Sequence, residues 1–205
     1  MNKEASLLLL ASASPRRSAL LDQIGVSHRV VAASVDETPQ PHEKAADYVC
    51  RLALAKARAG WACRRGERAA LGADTAVVLD GEILGKPDNP AEAESMLSRL
   101  SGRTHRVYSA VALVRGTREA VRLSESEVRF RAIAADERVR YVATGEPLDK
   151  AGAYAIHGLA ATFVEHLAGS YSGVMGLPLF ETAALLDEWS IEMPDWGDDA
   201  RDGAE

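Results

Sequence analysis

AALGADTAVVLDGEIL, residues 69–84, is the stretch on which the fold turns. Val77-Val78-Leu79 and Glu82-Ile83-Leu84 flank Asp80-Gly81, a dipeptide favoured in tight hairpins because both of its positions accept positive φ. The pattern predicts strand, turn, strand. Upstream the run is apolar except for Asp74-Thr75. Aspartate is depleted in strands and costly to bury unpaired. An Asp inside an apolar strand therefore points to a cation, a metal or a catalytic task. A strand-end Asp holding a turn is the alternative, weakened here because Val77–Leu79 continues the strand.

Outward from this hairpin, helices and strands alternate. Leu7–Leu10 reads as a short buried strand running into Ser14-Pro15, a helix start with Ser at the cap and Pro at the first helical position. Leu20, Leu21 and Ile24 give that helix its apolar stripe, and Gly25 stops it. A second helix is predicted over about 43–60, with Val49, Leu52, Ala53, Lys56 and Ala57 on one face. Asn89-Pro90-Ala91-Glu92 opens a third, with a capping-box-like Glu, and Gly102 closes it. Residues 104–114 are apolar on both faces, as in a central strand. Residues 119–131 form another, and helices follow near 135–143 and 178–189. The expected fold class is α/β with a mixed sheet.

The chain has 205 residues and a formal net charge of −6. Its 47% apolar and 26% charged composition excludes wholesale disorder and a coiled-coil rod. Net acidity argues against a nucleic-acid polymer as partner. The acid is concentrated in Asp195, Asp198, Asp199, Asp202 and Glu205, opposed only by Arg201. No apolar run approaches the roughly 18 residues of a membrane span. Leu7–Leu10 with Ala11-Ser12-Ala13 imitates a secretory signal, but Glu4 cancels Lys3 and a buried strand explains the run better. Cys50 and Cys63 show no zinc spacing, so reduced thiols in a cytoplasmic protein are expected over a disulfide.

Other residues of chemical interest sit near predicted turns. Ser12-Ala13-Ser14-Pro15-Arg16-Arg17 places hydroxyls, guanidinium groups and free N–H groups at a helix start, donors that suit phosphate oxygens. An exposed helix start with solvated arginines is the alternative. Gly85-Lys86-Pro87 returns a lysine after the hairpin, towards the same opening or into solvent. Asp36-Glu37 offers two adjacent carboxylates suited to a divalent ion, or an idle loop. Asp149–Gly158 and Gly169-Ser170-Tyr171-Ser172-Gly173 are small-residue segments fit either for close ligand approach or for tight packing between two lobes.

Together these motifs resemble the Maf family of nucleoside triphosphate pyrophosphatases. The resemblance spans about residues 7–187 and rests on SASPRR (12–17), DET (36–38), GADT (72–75), GKP (85–87), LSGRTH (100–105), EPLDKAGAYAI from Glu146, and the closing GSYSGVMGLPL. Ser14-Pro15-Arg16-Arg17 and Asp149-Lys150-Ala151-Gly152-Ala153-Tyr154 look most like the branch acting on dTTP and UTP. The resemblance implies hydrolysis between the α- and β-phosphates, with Mg2+, Mn2+ or Co2+, in the service of nucleotide-pool sanitation. It further implies an elongated, twisted mixed sheet with flanking helices, two lobes around a central cleft as in ITPase-like folds, and a homodimer. The expected organisation is one domain over residues 1–193 and an acidic, disordered tail over 194–205.

By motif position, Asp74 takes the general-base role. Arg16, Thr75 and position 157 take places linked to substrate choice, and Ser14, Arg17, Glu37, Lys56 and Lys86 line the triphosphate and metal site. Glu37 and Asp74 are the expected metal ligands. The departure is His157, where this branch usually has Gln. A Gln amide presents a donor and an acceptor side by side, matching the N3–H and O4 edge of uracil or thymine, whereas imidazole nitrogens diverge. The same hydrolysis on CTP, a modified pyrimidine or 7-methyl-GTP is therefore an alternative. A nucleotide-binding regulator of cell division or septum formation is another, needing the clamp but not the base.

Overall fold

Asp80 and Gly81 take φ of 54° and 85°, so β3 (Ala70–Leu79) folds back on itself as β4 (Glu82–Leu84), with Val78 opposite Ile83. The expected tight hairpin is present. The computed structural model describes residues 7–63 and 68–194; the acidic segment from Asp195 onward lies outside them.

Around this hairpin the remaining elements are β1 (Leu8–Leu10), α1 (Pro15–Gln23), β2 (His28–Val30), α2 (Ala45–Cys63), α3 (Pro90–Leu100), β5 (Thr104–Arg115), β6 (Arg118–Phe130) and α4 (Ala135–Ala143). Three short 3-10 turns, Glu146–Asp149, Ala151–Ala153 and Leu159–Phe163, lead to β7 (Val164–Ala168), α5 (Tyr171–Met175) and α6 (Leu179–Glu188). The sheet runs β2-β1-β3-β5-β6-β7, with β4 on β3. β1 is parallel to β2 and β3, and the other pairings are antiparallel. The sheet is mixed, as expected. Among the described residues no helix is long and apolar enough to cross a membrane.

Strand alternation builds two lobes from one strand. Leu71 and Ala73 face a core with Leu20, Leu21, Leu185, Leu186 and Trp189. Val77 and Leu79 face a second core with Leu97, Leu100, Phe130 and Phe163. All four share one face of β3, because side chains alternate with period two. Thr75 lies between them on that face, opposite Ser109 of β5. Two hydroxyls thus mark the seam where the apolar surface divides.

The opposite face of β3 carries α2. Gly72 is where helix and strand come closest: a Cβ there would stand 3.1 Å from Ala57 Cα and collide with the Ala53 carbonyl and the Ala57 amide. Ala53, Ala57 and Ala76 fill that interface. Small residues at this face let the helix lie directly on the strand. Cys50 and Cys63 both sit on α2, and at 1.5 Å rise per residue they stand roughly 20 Å apart, far beyond disulfide reach. Both are free thiols.

Candidate active site

The edge of β3 is interrupted. β1 pairs with it only at Ala70 and Leu71, and β4 only from Val77 onward. Among the described residues, no strand lies beside Gly72–Ala76 on that edge. A strand that ends there delivers the Ser12–Arg17 junction to one side of the gap, and the hairpin delivers Gly85 and Lys86 to the other. Asp74 stands in the middle. The resulting cleft has a volume of about 630 Å³, within the range of roughly 300–1,000 Å³ found for ligand pockets. Five cationic side chains line it, Arg16, Arg17, Lys56, Lys86 and Lys150, against the carboxylates of Glu37, Asp74 and Asp149.

At its floor Lys56 Nζ lies 2.6 Å from Asp74 Oδ1 and 2.6 Å from Glu37 Oε1. Asp74 is buried, at 7% exposure. Burial pushes its carboxyl above the ordinary range, and the Lys56 and Arg17 charges offset this only in part. Burial also lifts Glu37, but there the Lys56 hydrogen bond and charge, aided by Lys86 and Arg17, win and hold it below the usual range. The two carboxylates are thereby separated in basicity, as a site needing one proton acceptor and one fixed anion requires.

Arg17 is held in place by its own donors. Nε donates to the Gly176 carbonyl at 2.8 Å and Nη1 to Ser12 Oγ at 3.1 Å, leaving its other N–H groups for a ligand. Burial lowers its pKa from the arginine value. Ser14 occupies the N-cap position of α1 as predicted but makes no capping hydrogen bond; its amide instead donates to Ser12 Oγ at 3.2 Å. Arg16 reaches across the cleft mouth to Asp149, 3.5 Å away. Thr75 Oγ1 is 2.8 Å from Ser109 Oγ, and Ser109 donates to the Gly173 carbonyl at 2.6 Å. Thr75 is therefore the donor of the pair, with its lone pairs left over. His157 lines the mouth and is exposed. Burial, then the Arg16 and Lys150 charges, lower its pKa.

All the predicted site residues, Ser14, Arg16, Arg17, Glu37, Lys56, Asp74, Thr75, Lys86 and His157, line this one cleft. Two motifs with open alternatives are now placed. Asp36 does not join Glu37; its Oδ1 accepts the Thr38 amide at 2.9 Å in a local turn. Gly169–Gly173 does not line the cleft, whereas Val174, Met175 and Gly176, which follow it, do. Two residues outside every sequence motif also support the site: Tyr48, whose hydroxyl donates to the Glu37 carbonyl at 3.0 Å, and Ser109, beside Thr75. A lone hydroxyl in the apolar run of β5 was the available signal for the latter.

The donor set for a metal is narrow. Among the described residues no group of three or more His, Cys, Asp or Glu could hold an ion. Glu37 and Asp74 nevertheless converge on one nitrogen. Two carboxylates completed by phosphate oxygens and water are what a hard divalent ion arriving with a nucleotide uses. These residues fit such an ion, and they do not form an all-protein cage.

The chain is 54% identical over 201 residues to the dTTP/UTP pyrophosphatase of Aromatoleum aromaticum, covering 91% of this chain and 97% of that protein. It is 55% identical over 190 residues to the dTTP/UTP pyrophosphatase of Alkalilimnicola ehrlichii, covering 90% and 94% respectively. Among solved structures, a nucleoside-triphosphatase / dITP/XTP pyrophosphatase from Mycobacterium abscessus aligns over 90% of this chain and 96% of that one, with 19% identity and a TM-score of 0.47. Residues 7–189 match the Maf-like protein family. With its motifs gathered around Asp74 in a single cleft and the match running through both lobes, the chain belongs to the Maf family.

Proposed function

We propose that the chain hydrolyses dTTP- and UTP-type nucleoside triphosphates to the monophosphate and pyrophosphate, clearing unwanted nucleotides from the pool. The observation that carries this is the buried Asp74, of raised basicity, surrounded by cations at the floor of a nucleotide-sized cleft. The relatives' named activity, at 54% identity along nearly the whole chain, supports the same assignment.

A triphosphate brings close to four negative charges, which Arg16, Arg17, Lys56 and Lys86 are placed to neutralise. Charge grows on the departing pyrophosphate as the α–β bond breaks, and fixed cations there stabilise it without reorganising. Asp74 Oδ1 is engaged by Lys56, so Oδ2 is the oxygen left to take the proton of the attacking water. Glu37, held low by Lys56, stays anionic beside it. A divalent cation (Mg2+, Mn2+ or Co2+) held by Glu37, Asp74 and the phosphates would neutralise leaving-group charge. Arg16, Thr75 and His157 take the places that the family resemblance links to substrate choice, with His157 where this branch usually has Gln.

Two further expectations go with this assignment. A cytoplasmic location, as the sequence reading expects, goes with it, and the family resemblance supports a homodimer, which light scattering would test. The activity itself is tested by a panel of nucleoside triphosphates assayed for pyrophosphate release with each metal. UTP and dTTP should lead the panel. Release of orthophosphate instead, or no release with any metal, would overturn the proposal.

A further inference from the structure

The cleft wall that carries His157 hangs from two residues outside the cleft. Tyr141, buried on α4, donates its hydroxyl to Glu146 Oε1 at 2.8 Å and accepts the Ala155 amide at 3.2 Å. Glu146 Oε2 in turn accepts the Leu159 amide at 3.0 Å. One hydrogen-bonded pair therefore grips the chain at both ends of the span Ala155–Leu159. The Gly158 amide closes the span internally on the Ala155 carbonyl at 3.0 Å. The carboxylate lies so close behind Gly158 that a Cβ at this position would overlap it. Ala155, Ile156 and His157 are the residues of this span that face the cleft.

Neither Tyr141 nor Glu146 lines the cleft, so neither touches a nucleotide. What they control is the path of the backbone that does. The same carboxylate also accepts the Ala160 amide at 3.4 Å, and Lys150 donates to the Glu146 carbonyl at 3.0 Å. The wall, its anchor and a cleft lysine form one connected unit. We propose that Tyr141 and Glu146 are positioning residues for base selection: they fix Ala155–Leu159 as the wall against which the base is read, independently of the phosphate clamp on the other side of the gap. The proposal deepens the nucleotide pyrophosphatase assignment and rests on it.

Two variants test it, Tyr141→Phe, which keeps the buried ring, and Glu146→Gln, which keeps the side-chain size. Each is assayed as the full chain with UTP and CTP, and against inorganic tripolyphosphate, which has the phosphates but no base. The expected result is a KM for UTP raised about tenfold, the worth of one hydrogen bond, with a UTP-over-CTP preference moved towards unity. Inhibition by tripolyphosphate should stay at the wild-type constant and kcat should change far less than KM. An unchanged KM and preference in Tyr141→Phe would overturn the proposal. So would a parallel loss of UTP turnover and tripolyphosphate binding, because that marks general damage to the fold. If the wild type releases no pyrophosphate from any nucleotide, the assigned activity fails on its own. Calorimetric binding of UTP and of tripolyphosphate to the same variants then decides the positioning role.

Discussion

Lys56 of α2 and Asp74 of β3 pair at the floor of the cleft: the ammonium lies 2.6 Å from Oδ1, with both groups buried. The contact exists because α2 can rest on the backbone of β3 at Gly72. It has a cost, since burial leaves the Asp74 carboxyl above its ordinary range. A carboxyl raised in the folded state stabilises the protein only at low pH, and that contribution is lost as pH rises through the folded value. At neutral pH the ionised form is kept for chemistry at the expense of stability.

Asp74→Asn should therefore separate the two. Turnover should fall about 10²–10⁴-fold, the usual worth of a positioned proton acceptor. Nucleotide binding should persist, and thermal stability near pH 7 should match or exceed the wild type. In the wild type, kcat/KM should fall on the acid side at a pH above the ordinary carboxylate range. Unchanged pyrophosphate release by the variant would remove Asp74 from the base role.

Lys56→Met removes the charge that two carboxylates share. Each of them lies 2.6 Å from the same nitrogen, so the variant leaves them close together and uncompensated. Breaking a buried pair in this way costs about 3 kcal/mol or more, less for the half-exposed Glu37 than for Asp74. The double variant Lys56→Met with Asp74→Asn should recover much of the loss. Urea denaturation of the three variants measures the coupling, and strictly additive effects would show that the pair is not a unit.

Gly72→Ala tests the helix–strand approach directly. The added methyl meets Ala53 and Ala57 backbone atoms, which cannot move aside singly. Overpacking of this kind costs typically about 1–3 kcal/mol. Because the displacement lifts α2 from β3, activity should fall more than stability alone explains. Full activity at a temperature where the variant remains folded would show that the Lys56–Asp74 contact tolerates the shift.

The residues that brought these contacts together differ in how far they could be read in advance. The hairpin at Asp80-Gly81 and the odd aspartate in an apolar strand were visible because each breaks or obeys a local rule. The Maf motifs named the site residues, and all of them converged. What stayed hidden depends on contacts distant in sequence. The gap at Gly72–Ala76 exists only because β1 and β4 are both three residues long and pair at opposite ends of β3. Asp36 looked like Glu37 in sequence, yet a turn hydrogen bond within the loop turned it away. β2 and β7 are short, half-exposed edge strands without clear alternation, and their pairing comes from neighbours rather than from pattern.

His157→Gln should restore the paired donor and acceptor that a uracil or thymine edge calls for. If the imidazole makes one of those hydrogen bonds in the wild type, the gain for UTP is about 1 kcal/mol, a several-fold lower KM. CTP, whose edge has the opposite donor at position 4, should gain less. The lowered pKa of His157 keeps the ring neutral to below the ordinary histidine value, so the UTP-to-CTP ratio of the wild type should drift only on the acid side of it. Steady-state assays of both nucleotides across pH 5–8 check this. A ratio that is flat with pH and unmoved by the substitution would make the ring a bystander.

His105 predicts a separate acid weakness. Its ring is buried against Phe130 and Tyr154, at 5.0 and 5.3 Å between ring centroids, with Nε2 2.9 Å from the Tyr154 hydroxyl. Burial lowers its pKa to about 4. The unfolded chain takes up a proton near 6.5, which the folded chain refuses until about 4, so stability falls as pH drops through that window. Integrated over the window, the loss is at most about 3 kcal/mol. In His105→Gln, which cannot titrate, the decline of Tm between pH 6.5 and 4 should flatten, whatever the variant's stability at neutral pH. An equally steep decline would place the acid sensitivity elsewhere in the chain.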